Sequence, residues 1–321
     1  RLEDREGKEV SGDPIEKTLQ LLKVGYIIAI KGLGGFHLAC DARDEDAVSS
    51  LRSRKFREDK PFAVMCRDME EVKEHCEVNA EEERLLLSVE RPIVRLKKKD
   101  DFAIAHEVAP YQDTLGVMIP YSPLHHLLLN RPLKTLVMTS ANISDEPISY
   151  KNQEAFNRLS KIADYFLFHN REIHMRCDDS VTRIIGGKPD IIRRSRGYVP
   201  FPIKLAFPLE MILACGGELK NTFCLTRGQY AFMSHHIGDL ENLETLTSFE
   251  EGIKHFKKLF YLEPKAIAYD LHPDYLSTQY ALSIQDIPKV GVQHHHAHIA
   301  GLMTEHNVDQ TVGMRGDRDS Q

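Results

Sequence analysis

The stretch "RSRKFREDKPFAVM", residues 52–65, holds seven charged side chains in its first nine residues and then turns apolar without a break. It marks the point where a predicted helix gives way to a predicted strand. Ala47, Val48 and Leu51 lie at helical spacing before it, Pro61 stops the helix, and "FAVMC" begins the strand. This alternation of helix and strand predicts an α/β fold.

Lys55 is the residue of this stretch whose position needs an explanation. It follows Leu51 by four residues and Val48 by seven, which places it on the apolar side of the helix, pointing toward the domain body. An inward lysine needs an anion, and Arg57 and Lys60 follow where the helix ends. The pattern fits an anion site, but it also fits a cationic helix end that compensates the helix dipole. Position alone leaves both open.

Length, charge and cysteine usage limit the class of protein. The chain has 321 residues, which favours two domains. A formal net charge of −6 provides no global positive field for nucleic acid or an anionic membrane. No apolar run approaches about 18 residues and no signal core opens the chain, so a soluble, cytoplasmic protein with no membrane partner is predicted. Without a CxxC pair, the six cysteines are predicted to be reduced and mostly buried: Cys40, Cys66, Cys76, Cys177, Cys215 and Cys224.

Residues 10–202 are predicted to form a mixed α/β domain. Asp13 and Pro14 open its first helix, and Gly25 ends it. The predicted strands are "YIIAI", "FAVMC", "PIVRL", "LGVMI", "TLVMT" and "YFLF", separated by helical segments such as "PLHHLLLN" and "NQEAFNRL". Pro200 and Pro202 indicate the end of the domain, and residues 203–210 are predicted to be a linker.

Residues 211–321 are predicted to form a second domain. "MILAC", "TFCLTR" and "YAFMSHH" are predicted as three short strands joined by tight turns. A helix over about 246–261, the strand "AIAYD", another helix, the strand "KVGV" and a helix from about His294 follow. This β-β-β-α-β-α-β order is typical of an actin-like ATPase (ASKHA) subdomain. The last residues, "GMRGDRDSQ", have little apolar content and are predicted to fray.

Two further motifs contain side chains suited to ligand binding. "TSAN", residues 139–142, directly follows an apolar strand, where hydroxyl and amide groups can bind a ligand at the edge of an α/β sheet, although such a pair is also commonplace in turns. In "HHHAH", His294 and His298 are four residues apart and would face the same way, with His295 and His296 pointing elsewhere. Such a pair is more often structural, and a closed metal site needs further ligands.

"KFR" at Lys55–Arg57 and "SAN" at Ser140–Asn142 together resemble the KxR and SxN signatures of YrdC-like domains. The surrounding text resembles more specifically the HypF family of hydrogenase-maturation carbamoyltransferases, which join a YrdC-like domain to a Kae-type actin-like domain. The resemblance runs from about Asp13 to Gly301 and includes "AIKGLGGFHLACDA", "LGVMIPYSPLHHLLL", "HNREIHMRCDDSV", "IIRRSRGYVP", "LACGGELKNTFCL", "SHHIGDLENLET", "YDLHPDYLSTQYA" and "VQHHHAHIAG".

The resemblance implies a nucleotide and acyl-anion site in the first domain. Lys55 and Arg57 are its expected catalytic cations, because fixed positive charge stabilises an α-phosphate and a departing pyrophosphate. His294 and His298 are implied ligands of iron or zinc. The other residues implied in substrate or nucleotide binding are Lys31, His37, Lys60, Thr139, Ser140, Asn142, Arg176, Asp179, Ser180, Arg193 and Arg196, with Arg171, Asp178 and Arg194 beside them, and Lys220 and Asn221 in the hairpin "GGELKNTF". A packed loop histidine explains His37 equally well, surface charges and turns explain the others of the first domain, and a tight polar hairpin explains the last two.

The activity implied by the resemblance is ATP-dependent carbamoyl transfer. The YrdC-like domain joins a carbamoyl group from carbamoyl phosphate to AMP, with Mg²⁺, and releases pyrophosphate. In the full-length protein, the second domain passes the carbamoyl group to the C-terminal cysteine of the partner HypE, toward the cyanide ligand of nickel–iron hydrogenase. The family's downstream metal-binding aspartate and its acylphosphatase and zinc-finger regions do not occur in these 321 residues, so a truncated second domain is predicted.

Two other functions compete with this interpretation. A YrdC-like module could bind double-stranded RNA, with phosphate contacts from the arginines at 52–57 and 193–196. Threonylcarbamoyl-adenylate synthases share the fold and the KxR/SxN pair, although the surrounding text favours the carbamoyltransferases.

Overall fold

The computed structural model describes residues 1–130, 132–142, 146–308 and 311. Its contacts divide the chain into two compact units between Tyr198 and Val199. The segment "GMRGDRDSQ", which the sequence predicted to fray, lies outside the described residues. Within the described ranges, none of the helices has the length and apolar character needed to span a membrane.

The first unit is built on one large mixed β-sheet. Its strands are β1 (Leu2–Asp4), β2 (Ile28–Lys31), β3 (Phe36–Asp41), β4 (Ala63–Cys66), β5 (Cys76–Glu77), β6 (Ile93–Lys98), β7 (Thr114–Met118), β8 (Thr135–Ser140), β9 (Tyr165–Leu167), β10 (Val181–Ile185) and β11 (Lys188–Arg193). They follow the order β1-β9-β2-β3-β8-β4-β7-β6-β10-β11, with β5 beside β6. The six strands predicted for this region all occur; the short strands β1 and β5, the strand β3 and the β10–β11 hairpin at the sheet edge were not predicted.

Helices cover both faces of this sheet. They are α1 (Pro14–Lys23), α2 (Glu45–Arg54), α3 (Met69–His75), α4 (Ala80–Leu87), α5 (Pro123–Leu129) and α6 (Asn152–Leu159), with a 3₁₀ turn at His106–Val108. Successive residues of β2 belong to opposite faces: Ala29 packs with Val48 and Leu51 of α2, whereas Ile28 packs with Leu22 of α1. Two buried faces explain why the central strands read as uninterrupted apolar runs.

Helix α2 carries the charged stretch to the sheet. Its N-cap Asp44 accepts a hydrogen bond from the Ala47 amide at 3.0 Å. The helix ends at Arg54, well before Pro61, because Lys55 is its C-cap and Phe56 adopts a left-handed φ of 50°. The prediction that Pro61 stops this helix was therefore wrong.

The end of β8 and the start of β3 lie side by side. The strands are antiparallel, and His37 is paired with Ser140. The loop before β3 requires glycine, since a Cβ on Gly34 would lie 2.3 Å from the carbonyl oxygen of Cys177 and one on Gly35 would lie 2.6 Å from Ile148. Ile148 and Cys177 thus pack directly on this edge of the sheet.

The second unit has a five-stranded sheet with the order β12-β14-β13-β15-β16. Its elements are β12 (Ile203–Leu209), β13 (Ile212–Ala214), β14 (Cys224–Met233), α7 (Leu243–Phe260), β15 (Ala266–Asp270), α8 (Leu276–Ser283), β16 (Lys289–Val292) and α9 (His294–His306). Phe223, Phe249 and Phe256 form the centre of its core. The predicted α/β class and the β-β-β-α-β-α-β order are confirmed.

Two details of the second unit differ from the prediction. Residues 203–209 of the predicted linker form strand β12, which tolerates Pro208 because it lies at the edge of the sheet. The predicted strands "TFCLTR" and "YAFMSHH" form one strand, β14, which runs through Gly228 and pairs with β13 in its first half and with β12 in its second. Gly228 lies within this strand with a φ of 56°, at a point where the pairing with β12 shifts register.

Candidate functional site

Lys55 joins the two motifs of the first unit. Its side chain is 3% exposed. Its Nζ donates to the carbonyl oxygens of Ser140 at 2.8 Å and Asn142 at 2.7 Å, and to Asn142 Oδ1 at 3.0 Å. The Ser140 hydroxyl donates to the same Oδ1 at 2.9 Å, and Asn142 Nδ2 donates to the Glu146 carbonyl at 2.7 Å. The predicted inward direction of Lys55 is confirmed, and the lysine fixes the turn after β8.

Two arginines shape the loop that follows Lys55. Arg52 is 8% exposed and donates to the carbonyl oxygens of Arg57 at 2.9 Å and Glu58 at 2.8 Å. Arg57 donates to the carbonyls of Lys60 at 2.8 Å and Pro61 at 2.6 Å. Both guanidinium groups lie over the Phe62 ring, at 4.7 and 5.0 Å. The loop is therefore folded around buried positive charge.

Burial and the repulsion between neighbouring cations lower the pKa values of Lys55 and Arg57. Burial, together with Arg57 and Lys60, lowers the pKa of Lys55 to about 7. Burial, together with Arg52 and Arg193, lowers the pKa of Arg57 to about 10. Burial disfavours the charged forms and the neighbouring cations add repulsion, so an anion bound here would oppose both shifts.

A second network links β3 to the segment before β10. His37 Nε2 lies 2.9 Å from Asp179 Oδ2, and Arg196 Nε donates to Asp179 Oδ1 at 2.7 Å. Arg196 also donates to the carbonyls of Glu90 and Arg91 and lies 3.5 Å from the centre of the Tyr121 ring. Burial alone would raise the pKa of Asp179, but Arg196 and His37 outweigh it and hold that pKa well below its usual range. Asp179 is therefore ionised and fixes the His37 ring.

His125 lies beside this network and was not predicted as a site residue. It is 1% exposed and makes edge contacts with Tyr121, with ring centres 4.4 Å apart, and with His37, at 6.4 Å. Neither ring nitrogen has a hydrogen-bond partner among the described residues. Burial, followed by the proximity of His37, lowers its pKa to about 3, so the ring is neutral.

Arg176 stands apart from the other cations of the first unit. Its guanidinium lies 4.9 Å from the centre of the Tyr150 ring. Its Nε and Nη1 are buried, and no described residue accepts a hydrogen bond from either. A buried cation without an acceptor is rare in native structures.

The remaining predicted residues of the first unit have varied positions. Lys31 is buried and donates to the His169 carbonyl at 3.3 Å, and Thr139 is buried in β8. The Ser180 hydroxyl donates to the Arg196 carbonyl at 2.9 Å, so it braces the Asp179–Arg196 segment. Lys60 is exposed, and Arg193 is half-buried at the end of β11.

Two arginines required by the RNA-binding alternative are occupied inside the fold. Arg52 holds the loop carbonyls described above. Arg54 donates to the Ile162 carbonyl and to Asp164 Oδ1, both at 2.9 Å. A phosphate contact by the buried Arg52 would require its bonds to break, which counts against that alternative, whereas Arg54 uses only Nη1 and keeps Nε and Nη2.

Sequence reasoning missed the inward roles of Arg52, His125 and Tyr150. For the first two, a signal was present. Arg52 follows Val48 by four residues, and His125 precedes Leu128 and Leu129 by three and four, so helical spacing places both on apolar faces. Tyr150 lies in an irregular segment with no periodicity, and only the folded chain brings it to Arg176.

In the second unit, the glycine-rich hairpin is braced by its own side chain. Asn221 is 2% exposed, and its Nδ2 donates to the carbonyls of Cys215 at 2.9 Å and Gly217 at 2.6 Å. The Lys220 amide donates to Asp239 Oδ1 at 2.5 Å. Asn221 thus shapes the hairpin from within, as the alternative of a tight polar hairpin proposed.

His294 and His298 approach each other at the start of α9. Their Nε2 atoms are 3.1 Å apart, and His294 Nδ1 lies 2.6 Å from Asp270 Oδ2. His295 turns instead to Gln293, at 2.9 Å. A carboxylate on Nδ1 leaves the His294 Nε2 lone pair free for a metal, so this pair fits iron or zinc as two of its ligands.

A cluster of three potential metal ligands occurs elsewhere, at Glu71, Glu74 and His75, and no other such group is found in the described part of the chain. Glu71 already accepts from Arg43 at 2.7 Å and from the Thr135 hydroxyl at 2.8 Å. Both bonds are made to Glu71 Oε1, and the Arg43 guanidinium supplies the opposite charge. The cluster is therefore a structural ion pair under β8.

Two family models match the chain. Residues 20–195 match the Sua5/YciO/YrdC model, described as "Telomere recombination", and residues 208–305 match the HypF Kae1-like domain. The chain is 46% identical over 98% of its length to "Carbamoyltransferase HypF" of Synechocystis and 48% identical over 95% to "Carbamoyltransferase HypF2" of Cupriavidus necator. It spans 42% and 40% of these proteins, about two fifths of their length.

A solved structure agrees with these matches. The crystal structure of full-length HypF in the phosphate- and nucleotide-bound form is 53% identical, with a TM-score of 0.91 over 97% of this chain and 41% of that one. Sequence and fold thus point to the same relatives along both units. The chain belongs to the HypF carbamoyltransferase family, with a Sua5/YciO/YrdC domain followed by a HypF Kae1-like domain.

Proposed function

We propose that the first unit makes carbamoyl adenylate from ATP and a carbamoyl group supplied by carbamoyl phosphate, with Mg²⁺ on the phosphates. The observation that carries this proposal is the bridge from Lys55 to Ser140 and Asn142, which gathers both motifs at one end of β8 beside Arg57 and Lys60. Family membership and the nucleotide-bound relative support it.

The reaction needs charge stabilisation more than a protein nucleophile. Water first cleaves carbamoyl phosphate into carbamate and inorganic phosphate. A carbamate oxygen then attacks the α-phosphorus of ATP, the bond to the bridging β-phosphate oxygen breaks, and pyrophosphate leaves with its electron pair. Arg57, half-buried in its loop, offers a fixed cation to the charge that develops. Lys55 holds the Ser140–Asn142 turn in place for the ligand. Cations fixed before the reaction cost no reorganisation during it.

For the second unit, we propose a part in passing the carbamoyl group to the C-terminal cysteine of HypE. His294 and His298 would hold iron or zinc, which supplies a Lewis acid at the transfer site. Asp270 keeps the His294 ring in the tautomer that leaves Nε2 available. The hairpin held by Asn221 offers backbone amides that suit phosphate oxygens.

The first step is tested by ATP–pyrophosphate exchange in the purified chain. Exchange should depend on carbamoyl phosphate or carbamate, and L-threonine with bicarbonate should not replace them. Lys55→Ala should lower the exchange rate by about 10²–10³-fold, the usual cost of losing a fixed charge group. Lys23→Ala, an exposed lysine of α1, is the matched control. Exchange that needs threonine, or that is indifferent to Lys55, would contradict the proposal.

The transfer step is tested by incubating the chain with ATP, Mg²⁺, carbamoyl phosphate and HypE. The mass of HypE is then measured with and without alkylation of its terminal cysteine. A carbamoyl adduct that disappears in His294→Ala supports the second unit's role. An adduct of equal yield in that variant would contradict it.

A further inference from the structure

The Arg176 guanidinium is an incomplete binding group. Its Nε and Nη1 are buried without an acceptor among the described residues, and no described carboxylate lies within ion-pair distance of it. Its one stabilising contact of known geometry is the Tyr150 ring, 4.9 Å away. Burial removes water from a cation and stabilises the fold only when hydrogen bonds and opposite charge replace it. For Nε and Nη1 of Arg176, no described residue provides either.

The segments that contain Arg176 and Tyr150 are hydrogen-bonded to the edge of the sheet where Lys55 holds the turn after β8. The Cys177 amide donates to the Gly34 carbonyl at 2.9 Å, which fixes the residue after Arg176. The Ser149 amide donates to the Ala141 carbonyl at 3.0 Å, and the Ser149 carbonyl accepts from the Phe36 amide at 2.8 Å. Tyr150 therefore follows a residue that is held between β3 and the turn after β8.

The other cations at this edge already have acceptors. Lys55 donates to three oxygens of the Ser140–Asn142 turn, and Arg57 donates to two carbonyls of its own loop. Arg196 donates to Asp179 and to two carbonyls. Arg57 and Arg196 keep further N–H groups, but protein acceptors already hold both guanidinium groups in place, whereas Nε and Nη1 of Arg176 are buried with no acceptor among the described residues.

We propose that Arg176 directly binds a phosphate oxyanion, and that the Tyr150 ring holds the guanidinium plane in place. The ligand's source, the ATP triphosphate or free pyrophosphate, rests on the proposed function. A polyanion fits better than a single carboxylate, because Lys55, Arg57 and Lys60 add positive charge at the same edge. Lys55 then acts as a positioning residue for the turn, and Arg176 as a ligand.

Pyrophosphate binding to the whole chain, measured by calorimetric titration, tests this inference. Arg176→Gln should weaken pyrophosphate binding about 10- to 100-fold, the effect of losing a charge-assisted hydrogen bond. Adenosine affinity should not change. Tyr150→Phe keeps the ring face and should stay within about twofold of wild type, whereas Tyr150→Leu should weaken binding. Arg183→Gln, an exposed arginine of the β10–β11 hairpin, is the matched control.

Thermal unfolding without ligand separates binding from a structural role. If Arg176 is an uncompensated cation, Arg176→Gln should leave the Tm unchanged or raise it; a structural arginine would lower it. Arg176→Lys, which keeps the charge, should retain part of the pyrophosphate affinity and serves if the Gln variant does not fold. Equal affinity in wild type and Arg176→Gln would overturn the inference.

The outcomes for the inference and for the proposed function are distinct. Arg176-dependent pyrophosphate binding in a chain that never exchanges pyrophosphate into ATP would support the anion site and refute carbamoyl adenylate synthesis. Carbamate-dependent exchange that survives in Arg176→Gln, with unchanged pyrophosphate affinity, would do the reverse. ATP binding that falls in Arg176→Gln while pyrophosphate binding does not would place the contact outside the β- and γ-phosphates and overturn the assignment.

Discussion

The Lys55 ammonium lies 2.8 Å from the carbonyl oxygen of Ser140, a residue 85 positions away in the chain. The cation of one motif thus shapes the backbone of the other. Two short signatures, each ambiguous by itself, become one structural unit, and a change in either should be felt in both.

Activity should fall as the pH rises through about 7. Burial, Arg57 and Lys60 lower the pKa of Lys55 to about 7, so above that pH the side chain loses its charge and one hydrogen from a group that serves three oxygens. The kcat/KM of exchange should show a descending limb near pH 7. Lys60→Ala removes one of the causes of the shift and should move that limb to higher pH. A limb at the same pH in Lys60→Ala would show that another group titrates.

The buried Asp179–Arg196 pair should matter far more to stability than an exposed pair of the same type. Asp179→Asn leaves Arg196 and His37 without their anion, and breaking such a pair costs about 3–5 kcal/mol in the free energy of unfolding. Asp190→Asn breaks the exposed pair with Arg183, at 2.7 Å, and should cost less than about 1 kcal/mol. Urea unfolding of both variants measures the difference; similar losses would mean that burial of the pair is unimportant.

His125 should make the first unit sensitive to acid. Burial, then His37, lowers its folded pKa from the ordinary 6.5 to about 3. Between these values the unfolded chain binds more protons than the folded one, so the free energy of unfolding falls as the pH drops from about 6.5 to 3, by up to about 1.4 kcal/mol per pH unit. Above pH 6.5 this contribution is constant.

Replacing the ring tests this slope. His125→Phe should reduce the pH dependence of the free energy of unfolding in that window, while His126→Phe, at an exposed position on the same helix, should leave it unchanged. Urea unfolding at several pH values provides the measurement. An identical slope in wild type and His125→Phe would exclude His125 as the cause.

His294 and His298 of α9 should contribute to metal binding, and their neighbour His295 should not. Zn²⁺ affinity, measured by competition with a chelating indicator, should fall in His294→Ala and His298→Ala because their Nε2 atoms point at one another, 3.1 Å apart. Asp270→Asn should lower it about 10- to 100-fold, since Asp270 orients the His294 ring. His295→Ala, whose ring contacts Gln293, is the control. Equal losses from all three histidines would contradict the geometry.

The sequence by itself determined most of the elements and their class. Apolar runs such as "TLVMT" become strands buried on both faces, and Asp44 caps the helix that carries Lys55. These features depend on local periodicity and capping, which a sequence displays directly. The inward direction of Lys55 followed from the same spacing. Where the prediction failed, as at residues 203–209 and at the expected break between "TFCLTR" and "YAFMSHH", strand pairing within the sheet decided the outcome.

Only the tertiary structure decided which charges meet. The contacts of Lys55 with Ser140, of His37 with Asp179 and of Arg176 with Tyr150 join residues far apart in the chain. No period of the sequence encodes these distances, because they depend on strand order and on loops fastened to neighbouring strands. Whether a cation is neutralised by carbonyl oxygens, like Lys55, or left without an acceptor among the described residues, like Arg176, is fixed by burial and packing.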